Sequence, residues 1–287
     1  MSRVAYVNGR YVPHGQAVVH IEDRGFQLAD GIYEVWAVMG GKLADAEGHF
    51  ARLERSLGEL DIAMPMGRAA LSFVIRETVR RNHVRDGLAY LQVTRGTARR
   101  DHAFPEPEVA PTLVVTAKAI DRSAAEAKAR KGVGVITTPE NRWGRCDIKT
   151  IGLLPNVLAR QAAKAAGGYE AWFVDGDGLV TEGAASNAWI VDKDGTLRTR
   201  DLESNILRGV TRKSLLSVIA ESNLRFEERP FTVAEAKAAR EAFITGAGAL
   251  VLPVVSIDGQ PVGDGKPGET SLWLREQYVA RARDGAL

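Results

Sequence analysis

The chain opens on VAYVNGRYVP, residues 4–13, in which two short β-type runs flank Asn8-Gly9. Asn-Gly supplies the positive-φ backbone of a two-residue turn, so this spacing predicts a hairpin. GIYEVWAVMGGKLADA, 31–46, repeats the theme around Gly40-Gly41. Within it Tyr33 and Val35 alternate with Ile32, Glu34 and Trp36, and a strand puts the two sets on opposite faces. In EGHFARLERSLGELDI, 47–62, the apolar positions Phe50, Leu53, Leu57 and Leu60 fall at helical spacing. ALSFVIRETVRR, 70–81, predicts a second amphipathic helix, followed by the strands LAYLQVTRG, 88–96, and PTLVVTAKAI, 111–120.

DRSAAEAKARKG, 121–132, lacks a continuous apolar stripe and is read as a linker or connecting helix between two domains, 1–120 and 133–287. The second half runs through the strand VGVITT, the segment RWGRCDIKT and the helix NVLARQAAKAAGG. Paired strands with Asp-Gly turns follow in YEAWFVDGDGLVTEG and NAWIVDKDGTLRTR, then a helix over 210–222, a short strand and a helix near VAEAKAA. EAFITGAGALVLPVVSIDGQPV, 241–262, is read as the strands that close the chain. Strands and helices mix without a strict βαβ rhythm and without internal repeats, so the expected class is α+β rather than a doubly wound sheet.

Composition narrows the function classes. With 287 residues, 26% charged and 45% hydrophobic, the chain is long enough for two ordinary globular domains. A formal charge of +2 without an isolated basic block gives no electrostatic footprint for nucleic acid. The single cysteine, Cys146, is expected to pack as a small residue, and the opening lacks the apolar core of a secretory signal, which together suit a cytoplasmic protein. The longest apolar stretch, 242–257, is broken by Thr, Gly and Pro and falls short of the roughly 20 residues a spanning helix needs. The five histidines form no metal-binding spacing.

Candidate chemistry centres on Lys149 in RWGRCDIKT, 142–150. An ordinary lysine snorkels to solvent. An amine shielded from water loses proton affinity and can attack an aldehyde cofactor, with Arg142 or Arg145 helping to keep it neutral. Such a cofactor, if phosphorylated, needs backbone donors. LRGVTRKSLL offers Gly209, Val210 and Thr211 at a helix start, and TGAGAL, 245–250, offers a small-residue turn. Arg52 is a candidate charged anchor or a surface arginine. Glu182 in LVTEGAASN is either a solvated turn residue or an acid aimed at a pyridine nitrogen. VTRGTARRDHAFPEPE gathers Arg95, Arg99, Arg100 and His102 as a solvated basic turn or as a clamp for a substrate carboxylate. Tyr33 either packs in the core or hydrogen-bonds that carboxylate.

Taken in order, EDRGFQLADGIYEV, HFARL, QVTRGTARRDHAFP, RWGRCDIKTIGLLPNVLA, YEAWFVDGDGLVTEGAASN and ILRGVTR resemble the D-amino-acid transaminases of the class IV, fold-type IV pyridoxal-phosphate enzymes. Branched-chain aminotransferases and aminodeoxychorismate lyases are relatives of that family. The resemblance spans almost the whole chain. It implies a smaller N-terminal α/β domain and a larger C-terminal domain with a β-barrel-like core that anchors pyridoxal 5'-phosphate. By the same resemblance Lys149 forms the Schiff base and shuttles the proton, and Glu182 pairs with the pyridine nitrogen. Arg52, the Val210 and Thr211 amides and the turn at Ala247 hold the phosphate, and Leu207 packs against the ring. Arg100, His102 and Tyr33 trap the substrate carboxylate, with Val35 beside Tyr33. A homodimer is implied as well, because in the family that loop reaches across the subunit interface. Where family members are rich in hydroxyls, this chain has Ala184-Ala185 and Gly246-Ala247-Gly248-Ala249, which leaves phosphate binding there to the backbone.

The implied activity is ping-pong transamination between a D-amino acid, of the D-alanine or D-glutamate type, and a 2-oxo acid. Rivals on the same fold are a branched-chain L-aminotransferase, an (R)-selective amine transaminase and an aminodeoxychorismate-lyase-like enzyme. A non-catalytic pyridoxal-phosphate storage protein is the rival from outside enzymes.

Overall fold

The computed structural model describes residues 3–202 and 206–284. The chain divides into two compact units. The first takes the residues up to Asp121, the short segment Ile148–Gly152 and the chain from Ala282 onward; the second takes Arg122–Asp147 and Leu153–Arg281. Of residues 121–132, expected as a linker or connecting helix, all but Asp121 group with the second unit and most are helical, whereas the five residues around Lys149 group with the first.

In the first unit the elements are β1 (Val4–Val7), β2 (Arg10–Pro13), α1 (Arg24–Leu28), β3 (Gly31–Met39), β4 (Lys42–Leu43), α2 (Ala46–Glu59), α3 (Arg68–Arg81), β5 (Gly87–Thr94) and β6 (Thr112–Ala119). They build a six-stranded antiparallel sheet of order β2-β1-β6-β5-β3-β4. Asn8 and Gly9 both take positive φ, as do Gly40 and Gly41, so both predicted hairpins close through left-handed turns. One face of the sheet lies under α2 and α3. Phe50, Leu53 and Leu57 from α2 and Leu71, Ile75 and Val79 from α3 are buried against Ile32, Trp36, Leu91 and Val115. The indole of Trp36 sits 5.4 Å from the Phe50 ring. This is the period-3.6 stripe of each helix meeting the period-2 face of each strand.

The second unit contains α4 (Arg122–Lys131), β7 (Val133–Pro139), α5 (Leu154–Ala165), β8 (Glu170–Val174), β9 (Val180–Gly183), β10 (Asn187–Val191), β11 (Leu197–Thr199), α6 (Val210–Ala220), β12 (Phe226–Glu228), α7 (Val233–Lys237), β13 (Glu241–Gly246), β14 (Leu250–Ile257), β15 (Gln260–Pro261) and α8 (Glu269–Asp284), whose last turn falls with the first unit. Eight strands follow the order β12-β11-β10-β13-β14-β7-β8-β9, with β15 paired to β14. The outer strand β9 turns directly into β10 over residues 184–186, where the Gly183 N–H donates to the Ser186 carbonyl at 2.7 Å. A sheet whose edge strand returns within three residues to an interior strand must curl, and this gives the barrel-like core expected of the larger domain. Parallel β7 and β8 are joined by a crossover through α5, since parallel neighbours cannot be linked by a tight turn. Trp189 and Phe243 stack at 5.4 Å inside this core, and the indole N–H of Trp189 donates to Thr245 Oγ1.

The architecture is α+β, as the sequence predicts. One element departs from expectation: the strands of 241–262 do not close the chain, because α8 follows. Its buried stripe is Ser271, Leu274, Arg275, Tyr278 and Ala282. A stripe containing a serine and an arginine does not stand out as an apolar pattern. Arg275 is buried because its guanidinium meets Glu126 and the carbonyls of Ala249 and Val251.

Candidate active site

In the first unit, Lys149 is delivered to β3 by backbone pairing. The Tyr33 N–H donates to the Lys149 carbonyl at 3.0 Å, Ile32 and Thr150 form an antiparallel bridge, and the Ile151 N–H donates to Gly31. Ile148 anchors this short extended segment in the core. The Lys149 side chain then lies along the outer face of β3, with Nζ 4.1 Å from the Tyr33 ring centroid. Among the described residues no carboxylate lies within ion-pair distance of that amine. The Tyr33 ring stacks on Tyr90 of β5 at 5.8 Å, and the Tyr90 hydroxyl donates to Gln92. Burial, and then the neighbouring Tyr33, push the Tyr90 hydroxyl up to about 12, so it stays protonated as a donor. Tyr33 and Val35 are half-buried on this face, while Ile32, Glu34 and Trp36 are buried on the other, which is the alternation read from the sequence.

Arg52 belongs to the helix-covered face. Its Nε and Nη2 donate to the two oxygens of Glu34 at 2.9 and 2.6 Å, and His49 Nδ1 lies 2.9 Å from Glu34 Oε1. Glu34 is 1% exposed. Its burial alone would raise its pKa, but Arg52 and His49 outweigh that and hold the carboxyl well below the usual range. Burial pushes the His49 imidazole down, against the pull of Glu34. Glu34 thereby fixes the guanidinium of Arg52 in one bidentate pose.

The loop after β5 is tied from below. Arg24, buried, donates to the carbonyls of Asp101 and His102 and pairs with Asp30, while Asp23 caps α1 and accepts from Thr94. Arg95 corrects the sequence expectation that grouped it with the possible clamp. It is buried, pairs with Asp30, donates to the carbonyls of Leu60 and Asp61 and stacks on Phe104 at 3.5 Å, so it is a brace of the loop. Arg100 and His102 extend into solvent, and neither side chain has a polar partner among the described residues.

In the second unit, Glu182 at the end of β9 is 4% exposed. It accepts from Arg142 Nη1 at 2.5 Å, from Asn187 Nδ2 at 3.0 Å and from the Leu207 N–H at 3.2 Å. The Leu207 carbonyl accepts from the same Asn187 amide, so the main chain of Leu207 and the side chain of Asn187 brace the carboxylate together. Gly209 is the N-cap of α6 and provides no side-chain cap for the amides of Val210 and Thr211. A Cβ at Gly209 would meet Asn187 Oδ1 at 1.9 Å, which ties this helix start to the Glu182 cluster. Ala247 lies in the turn between β13 and β14, where Gly246 faces Leu250 across the ladder.

The guanidinium charges that the sequence offered to Lys149 are met by carboxylates instead: Arg142 by Glu140 and Glu182, Arg145 by Asp147. Cys146 is packed as expected. Burial pushes its thiol up to about 11, and Sγ donates to the Trp143 carbonyl. Sequence reasoning did not single out Glu34, His49, Tyr90, Glu140 or Asn187. For Glu34 a signal existed, an acid on the apolar face of a predicted strand with Arg52 and His49 on the following helix.

Comparison with known proteins identifies the family. The family pattern "Amino-transferase class IV" matches residues 31–257. A D-alanine aminotransferase of Staphylococcus haemolyticus is 39% identical over 273 residues, 95% of each chain. A D-alanine aminotransferase of Bacillus licheniformis is 41% identical over 261 residues, 91% of this chain and 90% of that one. Among solved structures, a T.th. branched-chain amino acid aminotransferase with pyridoxamine 5'-phosphate superposes with a TM-score of 0.91 at 26% identity, covering 99% of this chain and 96% of that one. A family match over most of its length, with two relatives near 40% identity across nine-tenths of it, places this chain in the class IV aminotransferases.

Proposed function

We propose that the protein is a pyridoxal-phosphate-dependent transaminase that moves the amino group of a D-amino acid, of the D-alanine or D-glutamate type, to a 2-oxo acid such as 2-oxoglutarate or pyruvate. The observation that carries this reading is the buried Glu182 carboxylate, held in one pose by Arg142, Asn187 and the Leu207 amide. The residues fit the cofactor. A fixed carboxylate suits a protonated pyridine nitrogen, an uncapped helix start with a glycine N-cap suits a phosphate, and an amine resting on an aromatic ring rather than in a salt bridge suits an aldehyde. Bound pyridoxal phosphate supplies that aldehyde and a ring that withdraws electrons from the substrate Cα.

The protein's own groups then divide the work. Lys149 Nζ holds the cofactor and moves the proton at the substrate Cα. Glu182 holds a proton at the ring nitrogen. Arg52, oriented by Glu34, and the Val210, Thr211 and Ala247 backbone hold the phosphate, and Leu207 packs against the ring. Arg100 and His102 receive the substrate carboxylate with Tyr33, and Val35 borders the side-chain pocket. The protein works as a homodimer. Exposed Phe26 and Phe104, on segments tied together by Arg24, are apolar surface of the kind an interface covers. A cytoplasmic location suits the single reduced thiol.

The structural likeness to a branched-chain aminotransferase favours one second reading, transamination of L-leucine-type donors. A coupled assay with 2-oxoglutarate separates the two. Pyruvate formed from D-alanine, with L-leucine inert, supports the first; the reverse pattern sinks it. Arg100→Ala is expected to raise KM for D-alanine by roughly 10- to 100-fold, the loss of one charge-assisted contact to a carboxylate. Unchanged KM in that variant would remove Arg100 from the site. Gly209→Ala should displace Asn187 and weaken pyridoxal phosphate binding by about tenfold or more, read by fluorescence titration of the apoenzyme.

A further inference from the structure

Behind Glu182 lies a second carboxylate. Arg142 donates from Nε to Glu140 Oε1 at 2.9 Å and from Nη2 to Glu140 Oε2 at 2.6 Å, while Nη1 goes to Glu182. Its own backbone N–H also donates to Glu140 Oε1. Thr181, next to Glu182 on β9, donates its hydroxyl to Glu140 Oε2 at 2.8 Å. The guanidinium lies over the Phe173 ring at 4.5 Å. The three charged side chains are 15% exposed or less.

We infer that Glu140, acting through Arg142, sets how firmly Glu182 holds the proton at the cofactor's ring nitrogen, and is a positioning residue of the site. This rests on the reading that Glu182 faces that nitrogen. Arg142 divides its charge between two carboxylates. A guanidinium devoted to Glu182 alone would satisfy the carboxylate and weaken its hold on a second proton-bearing partner. Glu140 takes two of the three guanidinium nitrogens, so part of Arg142's positive charge is drawn away from Glu182. The other ionisable groups nearby add little. The Cys146 thiol is neutral, pushed up by burial to about 11, and Asp147 is paired with Arg145. Burial would lower the Arg142 pKa, but the carboxylates hold it above its usual value, so the guanidinium stays charged. Thr181 and the Arg142 amide fix Glu140 in the orientation that permits the bidentate contact.

The test loads wild-type protein, Glu140→Gln, Thr181→Val and Glu182→Gln with ring-¹⁵N pyridoxal phosphate and follows the ring-nitrogen chemical shift against pH, with a thermal melt of each as a check on folding. Removing the outer negative charge makes the surroundings of the ring more positive, so Glu140→Gln should lower the protonation constant of the ring nitrogen by roughly tenfold. Thr181→Val, which loosens Glu140 without removing a charge, should move it less and in the same direction, and it carries the test if Glu140→Gln does not fold. Glu182→Gln should move it most. If Glu182→Gln lowers the constant while Glu140→Gln and Thr181→Val leave it at the wild-type value, Glu140 only braces the chain after β7 and the inference fails, with the reading of Glu182 intact. If Glu182→Gln also leaves it unchanged, Glu182 does not face the ring nitrogen and both fall.

Discussion

Lys149→Ala is expected to lower transamination by about 10⁴-fold or more, because it removes both a covalent anchor and the group that moves the Cα proton. The fold should survive. Lys149 is held by its backbone, through the Tyr33 N–H and the Ile32–Thr150 bridge, and by its neighbour Ile148 in the core. The amine rests on the Tyr33 ring, a contact worth about 0.5–1 kcal/mol at a partly exposed site. A melting temperature within a few degrees of wild type, together with lost turnover, is the expected pair of results. Turnover retained in the alanine variant would take Lys149 out of the chemistry.

The largest expected effect on stability is at Glu34. Glu34→Ala strands the buried Arg52 and His49 without their shared carboxylate, and breaking one partner of a buried pair costs about 3–5 kcal/mol. Urea unfolding of the apoenzyme reads this directly, and a loss under about 1 kcal/mol would show that the cluster relaxes without Glu34. The same cluster gives the pH dependence a sign. Glu34 has its folded pKa below its usual 4.5, so its contribution is fully present above that value and is lost as pH falls through the lower folded one. His49 is also lowered from its usual 6.5, so acidification protonates the unfolded state first and stability begins to fall below about pH 6.5. Glu170, raised by burial, works in the opposite direction: its contribution is present below its usual 4.5 and declines as pH rises through the folded value. In Glu34→Gln the carboxylate part of the acid-side slope should disappear.

Much of this was legible along the chain because it is local. The Asn8-Gly9 and Gly40-Gly41 turns, the α2 stripe and the alternation of Tyr33 and Val35 with Glu34 and Trp36 depend on residues within a few positions of one another. The order of short motifs, RWGRCDIKT and ILRGVTR among them, carried the family. What stayed hidden depends on contacts between distant residues. Nothing in DIKT announces that Thr150 pairs with Ile32, yet that bridge puts Lys149 on the Tyr33 ring. Arg142 reads as a cation near the lysine, but folding gives it Glu140 and Glu182. Arg95 sits among exposed arginines in sequence and is buried in space because Asp30 and two carbonyls receive it. The α8 helix escaped because its buried stripe includes Ser271 and Arg275.

The central claim is that these residues catalyse amino transfer from a D-amino acid. It is tested most directly by a single half-reaction: enzyme loaded with pyridoxal phosphate, mixed with D-alanine and no keto acid, and followed by absorbance while pyruvate is assayed. The account predicts loss of the aldehyde-form absorbance with one pyruvate released per site, restoration by 2-oxoglutarate, and no comparable change with L-alanine or L-leucine. An aldehyde-form spectrum that D-alanine leaves untouched while L-leucine converts it would contradict the account.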